Sequence, residues 1–286
     1  KRTEMPQAII DLLNKGIRAN HTDKFRRGNV ICLPGAGSLV ISGDIHGHRR
    51  NFERLVAKAD LANHPDRHII LQEIIHGGPE DAEGGCLSYQ LLFDAIRLKL
   101  RFTNQVHFIM GNHDTACICS TEVMKNGKEM NRAMASALDR EFRQASPDVR
   151  LAIRQFLFSQ PLAARSGNRM WISHSLPNDR CVDLFDHRIF DRELQIADCD
   201  RPGSAYLLTW GRRHSQATLD RMAKLLDVDV FILGHQPQTQ GWCKAGENLI
   251  ILACDHNHGC LLEVDLSKPY TAATLVDLII PLASIE

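Results

Sequence analysis

Oxygen- and nitrogen-bearing side chains follow the apolar segments of this sequence at several points. Asp44 and His46 come directly after the apolar run 39–41, and Glu73 comes after the run 69–71. Three later apolar segments are followed in the same way by Asn112 and His113, by His174, and by His235. Carboxylate, amide and imidazole donors without thiolates suit manganese, iron or zinc ions. The pattern therefore predicts a metal site assembled from several segments.

Glycines stand beside three of these positions, in GDIHG at 43–47, GNHD at 111–114 and GH at 234–235. A glycine permits the tight turns that bring side chains and backbone close to an ion. One Asp-x-His after a strand is commonly a turn, and one histidine there is commonly a hydrogen-bonded core residue. Five such positions in order along one chain favour a shared metal site over separate turns.

The elements that have to position these side chains alternate along the chain. The order strand, helix, strand, helix and then several closely spaced strands predicts a layered α/β fold, interpreted here as one domain spanning residues 1–286. In open α/β sheets the strand ends form the crevice where ligands bind. Helices are predicted at 5–20, 52–59 and 87–100, with a helical insert at about 120–160, and strands at 29–33, 39–41, 69–71, 106–110, 169–173, 228–233, 249–253 and 261–264.

The composition of the 286 residues is that of an ordinary globular protein, with 44% apolar and 24% charged residues. Lys+Arg and Asp+Glu number 34 each, so bulk charge does not indicate a partner that is a nucleic acid or a membrane surface. No apolar run approaches the roughly 20 residues that span a bilayer, and no signal-peptide pattern is present. Nine scattered cysteines without a CxxC pair predict reduced thiols and a cytoplasmic location.

The motifs GDIHG, GNHD, the lone His174 and GH at 234–235 resemble those of the calcineurin-like metallophosphoesterases. Within that superfamily, residues 156–177 are similar to the phosphoprotein (serine/threonine) phosphatase branch, in which a Pro-Leu-Ala-Ala segment precedes a strand and a histidine. Residues 249–265 are similar to a late strand, loop and strand of the same branch. The resemblance covers most of residues 39–265.

This resemblance implies a central β-sandwich flanked by helices, with two metal ions at the strand ends. It implies that His113 is the general acid for the leaving oxygen, and Asp114 is the nearest acidic residue to orient it. The implied ligands are Asp44 and His46 for the first metal, Asn112, His174 and His235 for the second, and Glu73 in the place of the bridging aspartate.

The chemistry implied is the hydrolysis of a phosphomonoester of a protein or small molecule. Two metals about 3.5–4 Å apart clamp a phosphoryl group and ionise a bridging water, and an imidazole protonates the departing oxygen. Two alternatives stay open at this point. In the first, the chain is a hydrolase of dinucleoside polyphosphates or other small phosphates. In the second, it is a metal-binding scaffold protein with weakened catalysis.

The segment LQEIIHGG at 71–78 departs most from the family pattern Gly-Asp-x-x-Asp-Arg-Gly. Glu73 keeps the charge of the bridging aspartate but adds a methylene, so it needs a backbone shift or another rotamer to bridge. His76 replaces the second aspartate, and Gly77 replaces the arginine that contacts phosphate. Glu80 or Asp81, reaching back from the following loop, is the alternative bridging acid.

The loss of that arginine requires another group to hold phosphate. Arg212 and Arg213 in LTWGRRHS are the predicted replacements, with an exposed basic turn as the alternative. His76 is a further predicted phosphate donor. His256 in CDHNHGC is predicted to contact substrate, or else to belong to a polar loop between two strands.

Overall fold

Strands and helices alternate along the chain in the computed structural model, which describes residues 5–286. Residues 1–4 of the predicted domain lie outside the described residues. The strands are β1 Arg26–Arg27, β2 Val30–Cys32, β3 Ser38–Asp44, β4 Arg67–Gln72, β5 Val106–Ile109, β6 Met124–Lys125, β7 Lys128–Glu129, β8 Ala163–Arg165, β9 Met170–Ser173, β10 Val230–Leu233, β11 Trp242–Ala245, β12 Leu249–Leu252, β13 Cys260–Asp265 and β14 Ile279–Pro281. The α-helices are α1 Pro6–His21, α2 Arg49–Ala59, α3 Ser88–Arg101, α4 Asn112–Cys119, α5 Met130–Phe142, α6 Ser146–Phe158, α7 Ser204–Trp210, α8 Gln216–Leu226 and α9 Ala272–Val276. Short 3₁₀ helices are Arg143–Ala145, Val182–Leu184, His187–Phe190, Ile196–Asp198 and Leu282–Ser284.

Two sheets form the centre of the fold. Within residues 5–286, the larger sheet has seven strands in the order β1-β2-β8-β9-β10-β12-β11, and the smaller has five in the order β14-β13-β3-β4-β5. A short hairpin of β6 and β7 stands apart from both. The two sheets pack on each other through a shared apolar layer, to which β3, β4, β9, β10 and β12 contribute. The predicted β-sandwich with flanking helices is confirmed.

The central strands are apolar because both of their faces are buried. Leu39 and Ile41 of β3 lie in the layer between the sheets, whereas Val40 lies in the layer that the helices cover. Side chains alternate between the two faces of a strand, so a strand buried on both sides needs a continuous apolar run. This requirement explains why the apolar runs predicted these strands directly.

The strands that carry the predicted ligands share one edge of the sandwich. β3, β4 and β5 are parallel in the smaller sheet, and β9, β10 and β12 are parallel in the larger. The two sheets join at the end of β3, where Asp44 forms a bridge with Ala253. Gly43 permits this approach, because a Cβ there would lie 2.1 Å from the carbonyl oxygen of Leu252.

The helices cover the outer faces of the sandwich. α1 packs against α3 and α6, and the predicted helix at 5–20 is present as α1. The predicted insert at 120–160 consists of the β6–β7 hairpin followed by α5 and α6. Along the described part of the chain, no helix combines the length and the apolar character that a membrane crossing requires.

Several elements were not predicted from the sequence. β8 is short and alanine-rich, and β11 is an edge strand whose residues are half-exposed or exposed. Neither has the continuous apolar run of a strand buried on both faces. The helices α7 and α8, which lie between β9 and β10, were also missed, although α8 begins with Ser215 as a side-chain N-cap.

Candidate metal centre

Three side chains from three strand ends converge at the edge of the sandwich. Asp44 ends β3, Glu73 follows β4, and His174 follows β9. One potential ligand atom from each of these residues lies within 4.8 Å of those of the other two, and all three residues are buried. Two carboxylates and an imidazole at this separation form a donor set for a metal ion.

His174 lies at the middle of this group. Its Nε2 atom is 2.9 Å from Oε2 of Glu73 and 2.9 Å from Oδ1 of Asn112. Its Nδ1 atom is 3.6 Å from Oδ1 of Asp44. Nε2 of His174 is therefore at hydrogen-bond distance from two oxygen atoms, so three potential metal-ligand atoms lie close to one another.

The remaining predicted ligands adjoin the same group. Nδ1 of His235 is 2.8 Å from Oδ1 of Asn112, and the backbone N–H of His235 donates to Oδ1 of Asp44 at 2.8 Å. Nε2 of His46 is 3.7 Å from Oδ2 of Asp44, while its Nδ1 is 3.0 Å from the carbonyl oxygen of Ile75. A carbonyl partner of this kind fixes the tautomer and orientation of a metal-binding histidine. The structure thus brings all six predicted ligands together.

Two glycines make room for the carboxylates. A Cβ at Gly111 would lie 2.6 Å from Cδ of Glu73, and a Cβ at Gly234 would lie 2.3 Å from Oδ1 of Asp44. Glu73 itself has a φ of 46°, a left-handed conformation that is uncommon for residues other than glycine. This turn and the space at Gly111 accommodate the methylene by which glutamate exceeds aspartate.

The electrostatics of the group fit a cation. Burial alone would raise the pKa of Glu73, but His174 and neighbouring imidazoles hold it well below its usual range. Burial alone would lower the pKa of His174, but Glu73 and Asp44 raise it to about 8. Nδ1 of His174 is buried without a hydrogen-bond partner among the described residues. A buried polar atom normally has a partner, and a metal ion would supply it here.

His113 and His76 form a pair next to His46, whose ring centroid is 4.7 Å from that of His113. Their Nδ1 atoms are 3.1 Å apart, and His76 is fully buried. Asp114 accepts hydrogen bonds from the N–H of Gly111 and from Nε2 of Gln160, at 2.9 Å and 3.2 Å. The sequence predicts that His76 donates to phosphate, but His76 contacts the imidazole of His113 and has no exposed surface that could reach phosphate. The resemblance implies that Asp114 orients His113, but the hydrogen bonds of Asp114 are to other residues.

The proposed phosphate and substrate residues lie on the rim. Nε of Arg212 donates to Nε2 of His235 at 3.0 Å, and Arg213 is exposed nearby in the same turn. His256 is half-buried, with Nε2 2.9 Å from the carbonyl oxygen of Gln238. Arg212 is therefore beside the predicted ligand His235, whereas His256 contacts the loop that follows β10.

The alternative bridging acids do not join the ligands. Glu80 pairs with Lys128 at 2.6 Å, and Asp81 pairs with Arg140 at 2.6 Å. Both acids are in the loop before α3, and neither belongs to the group of Asp44, Glu73 and His174. Glu73 is therefore the acid that the fold places between the strand ends.

Sequence reasoning missed some supporting residues. Gln72 donates to the carbonyl oxygen of Ser42 at 2.9 Å, which links the ends of β3 and β4. Lys125 of the β6–β7 hairpin pairs with Asp255 at 2.9 Å, in the loop after β12. A polar residue at a buried strand end was the available signal for Gln72, whereas nothing in the local sequence connects residues 125 and 255.

Comparisons with known proteins agree with this geometry. The sequence profile of the family described as calcineurin-like phosphoesterase matches residues 37–257. A protein serine/threonine phosphatase from Saccharomyces cerevisiae has a similar structure, with 15% identity, a TM-score of 0.68, and coverage of 91% of this chain and 83% of that one. A cold-active protein-tyrosine phosphatase from a Shewanella species is also similar, with 16% identity, a TM-score of 0.58, and coverage of 82% and 77%. No curated protein sequence matches the chain.

The structural likenesses, at these identities, concern the fold. The family match covers most of the chain and includes every predicted metal ligand, from Asp44 to His235. The resemblance inferred from the motifs is thereby confirmed. This chain belongs to the calcineurin-like phosphoesterase family and is a phosphate ester hydrolase.

Proposed function

We propose that this protein is a phosphomonoesterase that acts with two metal ions of the manganese, iron or zinc type. The observation that carries the proposal is the convergence of Asp44, Glu73 and His174 at three strand ends, with ligand atoms within 4.8 Å of one another. The proposed ligands are Asp44 and His46 on one side, Asn112, His174 and His235 on the other, and Glu73 between them.

The position of Glu73 supports its role as the shared ligand. Its Oε1 accepts the backbone N–H of His113 at 3.0 Å, and its Oε2 lies 2.9 Å from Nε2 of His174. The carboxylate is therefore held at one oxygen and directed toward the other ligands. When bound, a pair of metal ions polarises phosphoryl oxygens and generates a nucleophilic water at neutral pH.

His113 is proposed to protonate the leaving oxygen. Burial holds the pKa of His113 well below its usual value and lowers that of His76 to about 3, so both rings are neutral at pH 7 in the absence of substrate. The negative charge of a bound phosphate ester would raise the pKa of His113, so that the ring takes up the proton that it then passes to the leaving oxygen. Nε2 of His76 is buried without a partner among residues 5–286. An unpaired acceptor is tolerated better than an unpaired N–H, so the proton of His76 belongs on Nδ1. His76 then donates to Nδ1 of His113, which leaves the proton of His113 on Nε2 for the substrate.

Arg212 is proposed to hold the phosphate in place of the arginine that Gly77 replaces. In the structure its Nε donates to Nε2 of His235, which requires that nitrogen to be unprotonated. If Nδ1 of His235 is a metal ligand, Nε2 carries the proton and can no longer accept. The guanidinium is then released from His235 for the substrate, where it can bind phosphate oxygens in its planar fork.

The fold that this chain shares with a serine/threonine phosphatase and a protein-tyrosine phosphatase supports phosphorylated proteins as substrates. The cysteines of the chain are all free thiols. This feature supports a reducing compartment, which we propose is the cytoplasm.

The test is hydrolysis of 4-nitrophenyl phosphate and of phosphoserine and phosphotyrosine peptides after loading with manganese, iron, zinc or cobalt. Metal analysis of the same samples is expected to give about two ions per chain. Full occupancy without hydrolysis under every metal would contradict the proposal and favour a metal-binding scaffold. Activity on dinucleoside polyphosphates alone would assign the chain to small phosphates.

A further inference from the structure

A cavity of about 480 Å³ opens beside the metal centre, next to β9 and α7. This volume is within the range of small-molecule binding sites. The residues that line the cavity are Asn178, Asp179, Arg180, Trp210, Arg212 and Arg213.

Two of the lining residues connect the cavity to the metal centre. Nε of Arg212 is 3.0 Å from Nε2 of His235, and the ring of Trp210 is 6.4 Å from the ring of the same histidine, between centroids. Trp210 is itself fixed by Thr115, whose Oγ1 accepts from its Nε1 at 3.0 Å. The cavity therefore adjoins His235, one of the proposed metal ligands.

The cavity carries unbalanced positive charge. Its three arginines are exposed, and within residues 5–286 none of them forms an ion pair with a carboxylate. Other exposed arginines in the chain do, such as Arg169, which pairs with Asp227 at 2.7 Å. Arginine remains charged at every physiological pH.

One acid is among the lining residues, but its carboxylate is occupied. Oδ1 of Asp179 accepts hydrogen bonds from the backbone N–H and the Oγ of Ser215, at 2.8 Å and 2.9 Å. With Asp179 counted, the three guanidiniums still leave the lining with a net positive charge. If Arg212 serves the phosphate that is cleaved, Arg180 and Arg213 remain for another anion.

We propose that this cavity is a second anion subsite, so that the preferred substrates are phosphate esters that carry another phosphate group. Two guanidiniums match the charge of a phosphate dianion and bind its oxygens through charge-assisted hydrogen bonds. The inference rests on the proposed function and specifies its substrate class.

The test compares kcat/KM within two substrate pairs: adenosine 5′-monophosphate against adenosine 3′,5′-bisphosphate, and a phosphoserine peptide against its doubly phosphorylated form. The doubly phosphorylated member of at least one pair is expected to be preferred by about ten-fold, the effect of roughly one charge-assisted hydrogen bond. The pair that shows the preference distinguishes a small molecule from a peptide.

R180E is expected to abolish this preference, while K15E, the same charge change on an exposed residue of α1, keeps it. Absence of preference in both pairs, or an equal loss for all substrates in R180E, would overturn the inference. If the protein hydrolyses neither these substrates nor 4-nitrophenyl phosphate, the proposed function fails instead. Calorimetry with adenosine 3′,5′-bisphosphate then tests the subsite, and equal affinity in the wild type and R180E would overturn it.

Discussion

The Nδ1 atoms of His76 and His113 lie 3.1 Å apart in the interior of the protein, and the ring of His113 is 4.7 Å from that of His46, a proposed metal ligand. A hydrogen bond between two imidazoles fixes the tautomer of each, since one nitrogen donates and the other accepts. By the motif resemblance, His76 stands at the position of the family's second aspartate and His113 at that of its histidine. The orientation of the proposed proton donor therefore depends on a second neutral ring.

His76→Ala is expected to lower kcat by about 10- to 100-fold, because His113 loses the partner that sets its tautomer. Metal content is expected to stay unchanged, since His76 is not among the proposed ligands. His76→Asn, whose side-chain amide can still donate, is expected to restore part of kcat. Kinetics and metal analysis of both variants check this, and equal loss in the two would argue for a packing role alone.

His113→Ala is expected to keep both metals and lose about 10²- to 10⁴-fold in turnover, because it removes proton donation and no ligand. The loss should be larger for an alkyl phosphate than for 4-nitrophenyl phosphate, whose leaving group needs little protonation. The substitution His187→Ala, at an exposed histidine, serves as the control. A loss independent of the leaving group would remove His113 from the role of general acid.

Gly111→Ala is expected to displace the carboxylate of Glu73, because the added Cβ would lie 2.6 Å from its Cδ. Metal content should fall as in Glu73→Ala, which removes the proposed shared ligand. Gly35→Ala is the matched control, since a Cβ there meets nothing within 4 Å. Calorimetric titration with manganese measures the difference. If Gly111→Ala binds metal as the wild type does, Glu73 does not hold the ions.

A buried hydrogen-bond network lies at the ends of β4 and β5 that are opposite to the metal centre. It predicts that the folded state loses stability in acid. Nδ1 of His68 is 3.0 Å from Nε2 of His107, whose Nδ1 is 2.9 Å from Oδ2 of Asp23. Burial, together with the charge of His107, lowers the pKa of His68 to about 3. Between pH 6.5 and 3 the unfolded chain therefore binds a proton that the folded chain does not, and stability falls as pH falls.

At pH 5, His68 accounts for about 2 kcal/mol of the lost stability, because each pH unit between 6.5 and 5 costs about 1.36 kcal/mol. His68→Gln is expected to weaken the dependence of the free energy of unfolding on pH over this range. Urea denaturation of the metal-free protein at pH 7 and pH 5 provides the measurement. A variant with the same dependence as the wild type would assign the effect to other groups.

The ligand positions were predictable from the sequence because they follow strands buried on both faces. Such strands appear as apolar runs, and parallel strands of one sheet present their ends at one edge, so Asp44 and Glu73 were expected at the same crevice. The contact of His76 with His113 was not predictable. It depends on the turn after β4, where Glu73 and His76 both adopt positive φ, and no short-range pattern specifies that path.

The cavity beside the metal centre could also not be predicted from the sequence. Arg212 and Arg213 were recognisable as basic residues, but Arg180 lies in a different loop and no local feature connects it to them. The helices that form this side of the site, α7 and α8, were themselves missed. Without these helices, the sequence does not show that the three arginines lie near one another.

The proposed ligands come from both halves of the sandwich. Asp44, Glu73 and Asn112 follow strands of the smaller sheet, whereas His174 and His235 follow strands of the larger. Ions held by these groups would cross-link the two halves at one edge, so occupancy and folding are thermodynamically coupled. Chelation is accordingly expected to lower Tm, as well as to stop catalysis, and Glu73→Ala should show a smaller Tm difference between the chelated and metal-loaded states.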